Sequence, residues 1–518
     1  MLIYLFGCDG SARLSTLRAW CCFAGLSMAE LSGVACNGTH ASSSGRMSGG
    51  EGSGIGGSST SGVGGGAASR AVGTAWFEVI EPLPVDVAEG TEASAITNET
   101  ELLGASLDGS VLVGSSWLLV TQGNVAQSSA GFRWTRETGA VDLGDPGAAD
   151  PSARYIFPEK MSHDGAVVVG TSGPGVIAPI FRWTEDSGIV SIGDLEGGDG
   201  TKLDDVSADG GVVVGTSGDQ AFRWTLETGV AALGAVPGME RSRSLVVSGD
   251  GQIVFGTAST TTESATFRWT DARGMELLDV ACRIAPGGVS HDGSSLVGLC
   301  TSDEGTLPYQ WSEASGLRSL GAPPASYSVD LRFASAEHGV LVAQGKGENR
   351  EDSQALRATE ATGFVALGAL PGNPTCSALG GSFDSFLTLR PPMSTDGSVV
   401  VGNCVNTETG TALGFRWSSA SGLLAMKPLA GHVRSRVTSV SPDGLVGGTS
   451  TDGAGTTEGV LWSAEGEPRS IRAALEANGI AFGGFVLDDV VVLGGGRLVY
   501  GGGKDAAGNG RGWVALLP

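Results

Sequence analysis

An S-x-D-G turn, an apolar V-V-V-G strand and an F-R-W-T strand recur in that order along the chain. Together they predict an all-β protein: a β-propeller of about eight or nine four-stranded blades, its ring closed by the N-terminal strand. The turn and the strand after it read S-L-D-G-S-V-L-V-G at 106–114, S-H-D-G-A-V-V-V-G at 162–170 and S-A-D-G-G-V-V-V-G at 207–215. They return at 248–256, 290–298, 394–402 and 441–448. The F-R-W-T strand or a variant carries Trp134, Trp183, Trp224, Trp269, Trp311, Trp417, Trp462 and Trp513, so eight of the 11 Trp hold one module position. A T-G or S-G turn and a short strand ending near Leu-Gly complete the unit, as in E-T-G-V-A-A-L-G at 227–234. A degenerate unit at Ala334–Gly339 has Glu337 in the Asp region, and G-G-R-L-V-Y-G-G at 495–502 is a last weak copy. That makes nine units of roughly 45–55 residues, each with four strands.

Each element has a local cause. Asp-Gly between apolar runs makes a hairpin because both residues tolerate positive φ. In F-R-W the period of two puts Phe and Trp on one face and Arg on the other. One helix is expected, Ser470–Asn478, with Ser470 as N-cap and Gly479 as C-cap. The last unit stops at Pro518 without a fourth strand, while A-W-F-E-V-I-E-P-L at 75–83 reads as a fourth strand with no blade of its own. Pairing the two seals the ring and removes its exposed edges.

Composition narrows the function classes. The chain has 518 residues, 86 of them Gly, and a net charge of −24. That balance excludes a basic nucleic-acid binder, which needs Lys/Arg patches to neutralise phosphates. Apolar residues at 41% exclude a disordered acidic tail. The glycines fall into two populations, one in a tether and one at repeated turns.

The first residues read as leader and tether. Residues 1–35 carry Arg13 and Arg18 and then an apolar run from Ala19 to Ala29, the pattern of an export signal. The run is too short to span a membrane as a helix, which takes about 20 apolar residues. Gly33-Val34-Ala35 before Cys36 suits ordinary signal peptidase and also resembles the lipobox of bacterial lipoproteins, whose Cys is acylated. Gly33 stands where that lipobox usually has Leu. Residues 36–72 are Gly/Ser-rich and too poor in apolar residues to form a core, which suits a surface tether. Residues 73–518 form the repeat domain.

The F-R-W-T strand, the T-G turn with Leu-Gly and the S-x-D-G-x-V-V-V-G hairpin resemble the HAF-repeat family of exported bacterial proteins. More loosely they resemble the S-P-D-G turns of TolB-type and WD40-like propellers. Ala221-Phe222 keeps the end of the His-Ala-Phe run that names the family, and no unit has the His. The resemblance spans residues 73–518 and implies an exported, propeller-like array; it brings no common activity.

Four cysteines lie outside the leader. Cys300 and Cys404 follow Asp292 and Asp396 at the same distance, and Cys282 and Cys376 precede the same hairpins. Disulfides Cys282–Cys300 and Cys376–Cys404 are therefore expected, as suits an oxidising compartment. No C-x-x-C pair, H-E-x-x-H, G-x-S-x-G or P-loop occurs in the repeat domain, and no cofactor or metal is expected. The repeated Asp lacks the oxygen ligands of a calcium loop and reads as a turn fixed by bonds to its own backbone. The repeated Arg, at 133, 182, 223, 268 and 416, is expected to pair with a carboxylate of its own or the next unit. Function should sit where units depart from their siblings: 115–130, the loop 145–160 with Tyr155 and Phe157, and 371–393 with Phe383 and Phe386. These aromatics suit a binding loop, or equally packing over blade edges. The leading expectation is a monomeric, non-catalytic binding module for a protein or glycan, exported either as an outer-membrane lipoprotein, attached to the membrane only through a lipid anchor, or as a secreted extracellular protein. The alternatives are an exported lyase or hydrolase acting on polysaccharide, and a structural envelope protein. An enzyme should place two carboxylates about 5–10 Å apart at the channel mouth.

Overall fold

The computed structural model describes residues 75–83, 96–120, 128–145, 155–173, 178–198, 200–280, 282–302, 305–323, 327–347, 353–378, 392–406 and 408–518. Leader, tether and Cys36 lie outside them, as do Phe383 and Phe386. The described residues form nine antiparallel sheets, eight of them four strands paired in chain order. These are blade 1 (96–142), blade 2 (156–191), blade 3 (201–232), blade 4 (241–277), blade 5 (283–319), blade 6 (328–366), blade 7 (375–425) and blade 8 (432–470). The ninth joins Val486–Leu487, Val491–Val492, Leu498–Lys504 and Gly510–Leu516 to Trp76–Ile80 from the other end of the repeat domain. The protein is thus a nine-bladed β-propeller closed by its N-terminal strand. The degenerate unit forms a full blade, which decides between eight and nine. The expected helix is shorter than its sequence span, Ile471–Glu476; Ser470 caps it through Ala473 N–H, and its C-cap is Ala477 rather than Gly479, which follows two residues later at φ +78°.

The core lies between blades. Nine apolar clusters fill the nine joints, the joint between blades 9 and 1 included. In blade 2, Val168, Phe181 and Trp183 face blade 1, while Val167 and Val169 face blade 3. Both faces of the second strand are buried, so it reads as an unbroken apolar run. The Gly that ends V-V-V-G admits the Phe ring: a Cβ on Gly215 would sit 2.6 Å from the Phe222 ring and 2.2 Å from the Lys202 carbonyl. From blade 1 through to blade 6, successive first strands touch one another on the inner side of the ring. Most of them carry a bulge, as between Leu203 and Asp205.

The S-x-D-G turn is built from its own polar atoms. In blade 3, Ser207 Oγ donates to Asp209 Oδ1 at 2.6 Å and accepts Val212 N–H at 2.9 Å, while Asp209 Oδ1 accepts Gly211 N–H at 2.9 Å. The Asp–Ser bond recurs at Asp108, Asp164, Asp250, Asp292, Asp396 and Asp443. These hydrogen bonds hold Asp292 and Asp396 down at about 2. Gly210 at φ +68° presses against Val167 of the preceding blade.

The repeated Arg departs from expectation. Arg133, Arg182, Arg223 and Arg357 donate to the carbonyl of Gly165, Gly210, Gly251 and Gly397, each in the next blade's turn. Each guanidinium also lies 5.6–5.9 Å from the next blade's Trp ring, a cation–π distance. The turn carboxylate is already engaged by its Ser and its own backbone, so the carbonyl takes its place. Arg268 alone of the five expected positions has a carboxylate partner among the described residues, Glu313 of the next blade at 3.7 Å.

Cys282 and Cys300 form a disulfide across the first hairpin of blade 5, with Cα atoms 5.6 Å apart. Cys376 and Cys404, directly opposite in blade 7, form the second with Cα atoms 4.0 Å apart. Loops of this length are worth about 3 kcal/mol each in the chain-entropy model.

Candidate functional site

The D-G turns of successive blades are linked at the channel mouth by main-chain hydrogen bonds. Leu107 N–H donates to His163 C=O at 2.9 Å, His163 N–H to Ala208 C=O at 2.8 Å, and Ala208 N–H to Gly249 C=O at 2.9 Å. Asp250 N–H donates to His291 C=O at 3.0 Å, and Thr395 N–H to Pro442 C=O at 3.3 Å. His163 and His291 therefore serve this face through their backbone. Between blades 5 and 6 the link changes. His291 N–H goes to the Glu337 carboxylate, the residue in the Asp position of the degenerate turn.

Because Glu337 reaches back to blade 5, its own turn lacks the Ser–Asp bond. Among the described residues, Ser335 Oγ, Ala336 N–H and Thr395 C=O have no hydrogen-bond partner, and the chain of links is interrupted between blades 6 and 7. A cavity of about 280 Å³ opens there. Val289, Phe333, Ala334, Met393, Val440 and Pro442 supply apolar walls, with Ser335, Glu337 and Thr395 as polar points. The cavity spans the inner ends of blades 5 to 8. Of its residues only Met393 falls in a stretch singled out from sequence, 371–393, and Glu337 marks the unit that departs from the repeat.

Of the expected binding-loop aromatics, Tyr155 and Phe157 are among the described residues. Tyr155 is half-buried and its carbonyl accepts Gly173 N–H at 2.9 Å. Phe157 lies in the first strand of blade 2, half-buried, with its ring 5.7 Å from Trp117 of blade 1. The Phe157 ring thus packs across the joint between blades 1 and 2.

A second polar cluster lies on the inner strands of blades 2 to 4. Lys160, 4% exposed, is 3.2 Å from Asp205 Oδ1, and Asp205 Oδ2 accepts Val247 N–H at 3.0 Å. Asp204 accepts from Thr216 Oγ1 at 2.9 Å, Ser244 Oγ at 3.2 Å and Arg243 Nη2 at 3.3 Å. Burial pushes Lys160 down to about 8 and raises Glu159 and Asp204 above ordinary carboxylates. Asp204 and Asp205 thus act as clamps between blades. No cluster of three or more His, Cys, Asp or Glu among the described residues has the arrangement of a metal site.

No protein-family model and no curated protein matches the chain. Solved structures do. Prolyl oligopeptidase B from Galerina marginata is 10% identical, with a TM-score of 0.41 over 71% of this chain and 56% of that one. An oligogalacturonate lyase from Vibrio parahaemolyticus is 11% identical, with a TM-score of 0.38 over 86% and 97%. TolB from Acinetobacter baumannii is 14% identical, with a TM-score of 0.31 over 52% and 62%. The chain spans little more than half the length of the prolyl peptidase. At these identities and TM-scores none of the matches bears on chemistry.

Proposed function

We propose that this protein is a non-catalytic binding propeller, exported and held at the cell envelope, whose channel-mouth cavity takes an apolar side chain of a protein partner. The cavity carries the reading: it is half-open, mostly apolar, and placed where the repeat breaks down. Its volume lies just below the ~300–1,000 Å³ of pockets that take whole small molecules, so it fits one anchoring side chain. A protein is favoured over a glycan because Phe333 is the one aromatic wall, whereas sugars call for stacking faces and many hydrogen bonds. The engagement of Asp204 and Asp205 weighs against the polysaccharide lyase or hydrolase.

Filling the cavity tests the reading. Peptides selected from a random nine-residue display library on the full chain are expected to bind Ala336→Phe at least tenfold more weakly, as measured by calorimetry. Unchanged affinity with an intact melting curve would remove the cavity from the binding surface.

Export is supported by the two disulfides, which persist in oxidising compartments. Attachment rests on Cys36 and the tether that follows it. Metabolic palmitate labelling is expected in the full chain and should vanish in Cys36→Ser; label that persists would place any lipid elsewhere.

A further inference from the structure

The cavity's unpartnered polar groups specify more than an apolar side chain. At five joints of the ring, a main-chain N–H in one turn donates to a carbonyl of the next blade's turn, at 2.8–3.3 Å. At the joint between blades 6 and 7 the corresponding groups, Ala336 N–H and Thr395 C=O, line the cavity without a partner among the described residues. Ala336 is 5% exposed as a residue, and a buried unpaired donor costs about 1–3 kcal/mol. Whatever fills the gap favourably must accept from one side and donate to the other.

We infer that the cavity binds a peptide main chain: one amide unit of the partner replaces the missing link between blades 6 and 7 while the attached side chain enters the apolar recess. A peptide carries a C=O acceptor and an N–H donor within one residue, the complement of Ala336 N–H and Thr395 C=O. Ser335 Oγ, freed because Glu337 bonds His291 N–H, both donates and accepts beside them. A carboxylate has no donor for Thr395 C=O. A hydrocarbon leaves all three groups unpaired. Phe333, Met393 and Val440 then take an aliphatic side chain such as Leu. The inference rests on the binding reading above and names the chemistry that the cavity recognises.

The test uses the full chain and blocked single residues as probes. N-acetyl-leucine N′-methylamide is titrated by saturation-transfer NMR beside its two ester analogues, in which an oxygen replaces either the leucine N–H or the methylamide N–H. Losing one hydrogen bond corresponds to roughly a two- to tenfold loss of affinity. One of the two esters is expected to bind about fivefold more weakly than the amide. Ala336→Pro, which deletes the N–H, is expected to weaken amide binding similarly; should that variant misfold, the ester comparison on the unaltered chain decides alone. Equal affinity of the amide and both esters, or no binding of the amide, overturns main-chain recognition. If Ala336→Phe still abolishes binding of the selected peptides while the esters match the amide, the apolar cavity stands and only this inference falls.

Discussion

Asp205→Ala is expected to destabilise the propeller by about 3–5 kcal/mol, because it strands a buried ammonium. Lys160 is almost wholly buried in the first strand of blade 2, and Asp205 reaches it from the first strand of blade 3. The same carboxylate holds Val247 N–H of blade 4, so one side chain ties three consecutive blades. Lys160→Met keeps the aliphatic stem and should cost less. The double variant should lose less than the sum of the two, since removing both charges also removes the desolvation that each imposes. Lys160 further predicts a pH dependence. Its folded value, about 8, lies below the ~10.4 of an unfolded lysine. Between those values the unfolded chain holds more protons, so this group makes stability rise with pH by up to about 3 kcal/mol. Below pH 8 the folded and unfolded lysines are both charged and the full cost applies. Urea titrations at pH 7 and pH 10 on wild type and Lys160→Met measure it; equal pH slopes in both chains would dismiss Lys160 as the source.

Much of this architecture is written in local chemistry, which is why it is legible. The Asp-Gly turns, the Ser470 cap and the unpaired strand at 75–83 each follow from a few adjacent residues, and the structure has all three. Blade number depends on how many joints close a circle, and the degenerate unit decides it. Blade 6 lacks the Asp-Gly and has Ala358 at the Trp position, yet Val340, Val342, Leu356 and Ala358 remain at most 3% exposed, so its two joints still pack. The partner of the repeated Arg was hidden for a different reason. A buried guanidinium calls for an acceptor, and only the folded turn reveals that the Asp oxygen is already taken while the Gly carbonyl is open. The cavity is hidden further still, since it arises from a bond that Ser335 does not make. Its trace in the sequence is the replacement of Asp-Gly by Glu337-His338, which reads as decay until Glu337 is seen to reach blade 5.

Removing residues 75–80 is expected to open the ring and promote self-association. Trp76–Ile80 is the fourth strand of blade 9 and pairs with Gly510–Leu516 over five residues. Its side chains are anchors: Trp76 and Ile80 are 5% and 2% exposed, and the Phe77 ring stands 4.4 Å from Phe482 and 6.1 Å from Trp513. Trp76 also packs on Trp134 of blade 1 at 6.3 Å, so the strand completes both a sheet and the joint between blades 9 and 1. Truncating Trp76 alone, as Trp76→Ala, should cost about 3–5 kcal/mol. Deleting the strand does more, because it leaves Gly510–Leu516 as an unpaired edge, a template for pairing with another chain. Light scattering and thermal melting on the deleted chain should show higher-order species and a lower transition. A synthetic peptide covering residues 75–82, added in trans, should reverse that association by occupying the vacant edge. A deleted chain that gains no association and has an unchanged melting temperature would mean that the ring holds without its N-terminal strand, and that the other eight joints suffice.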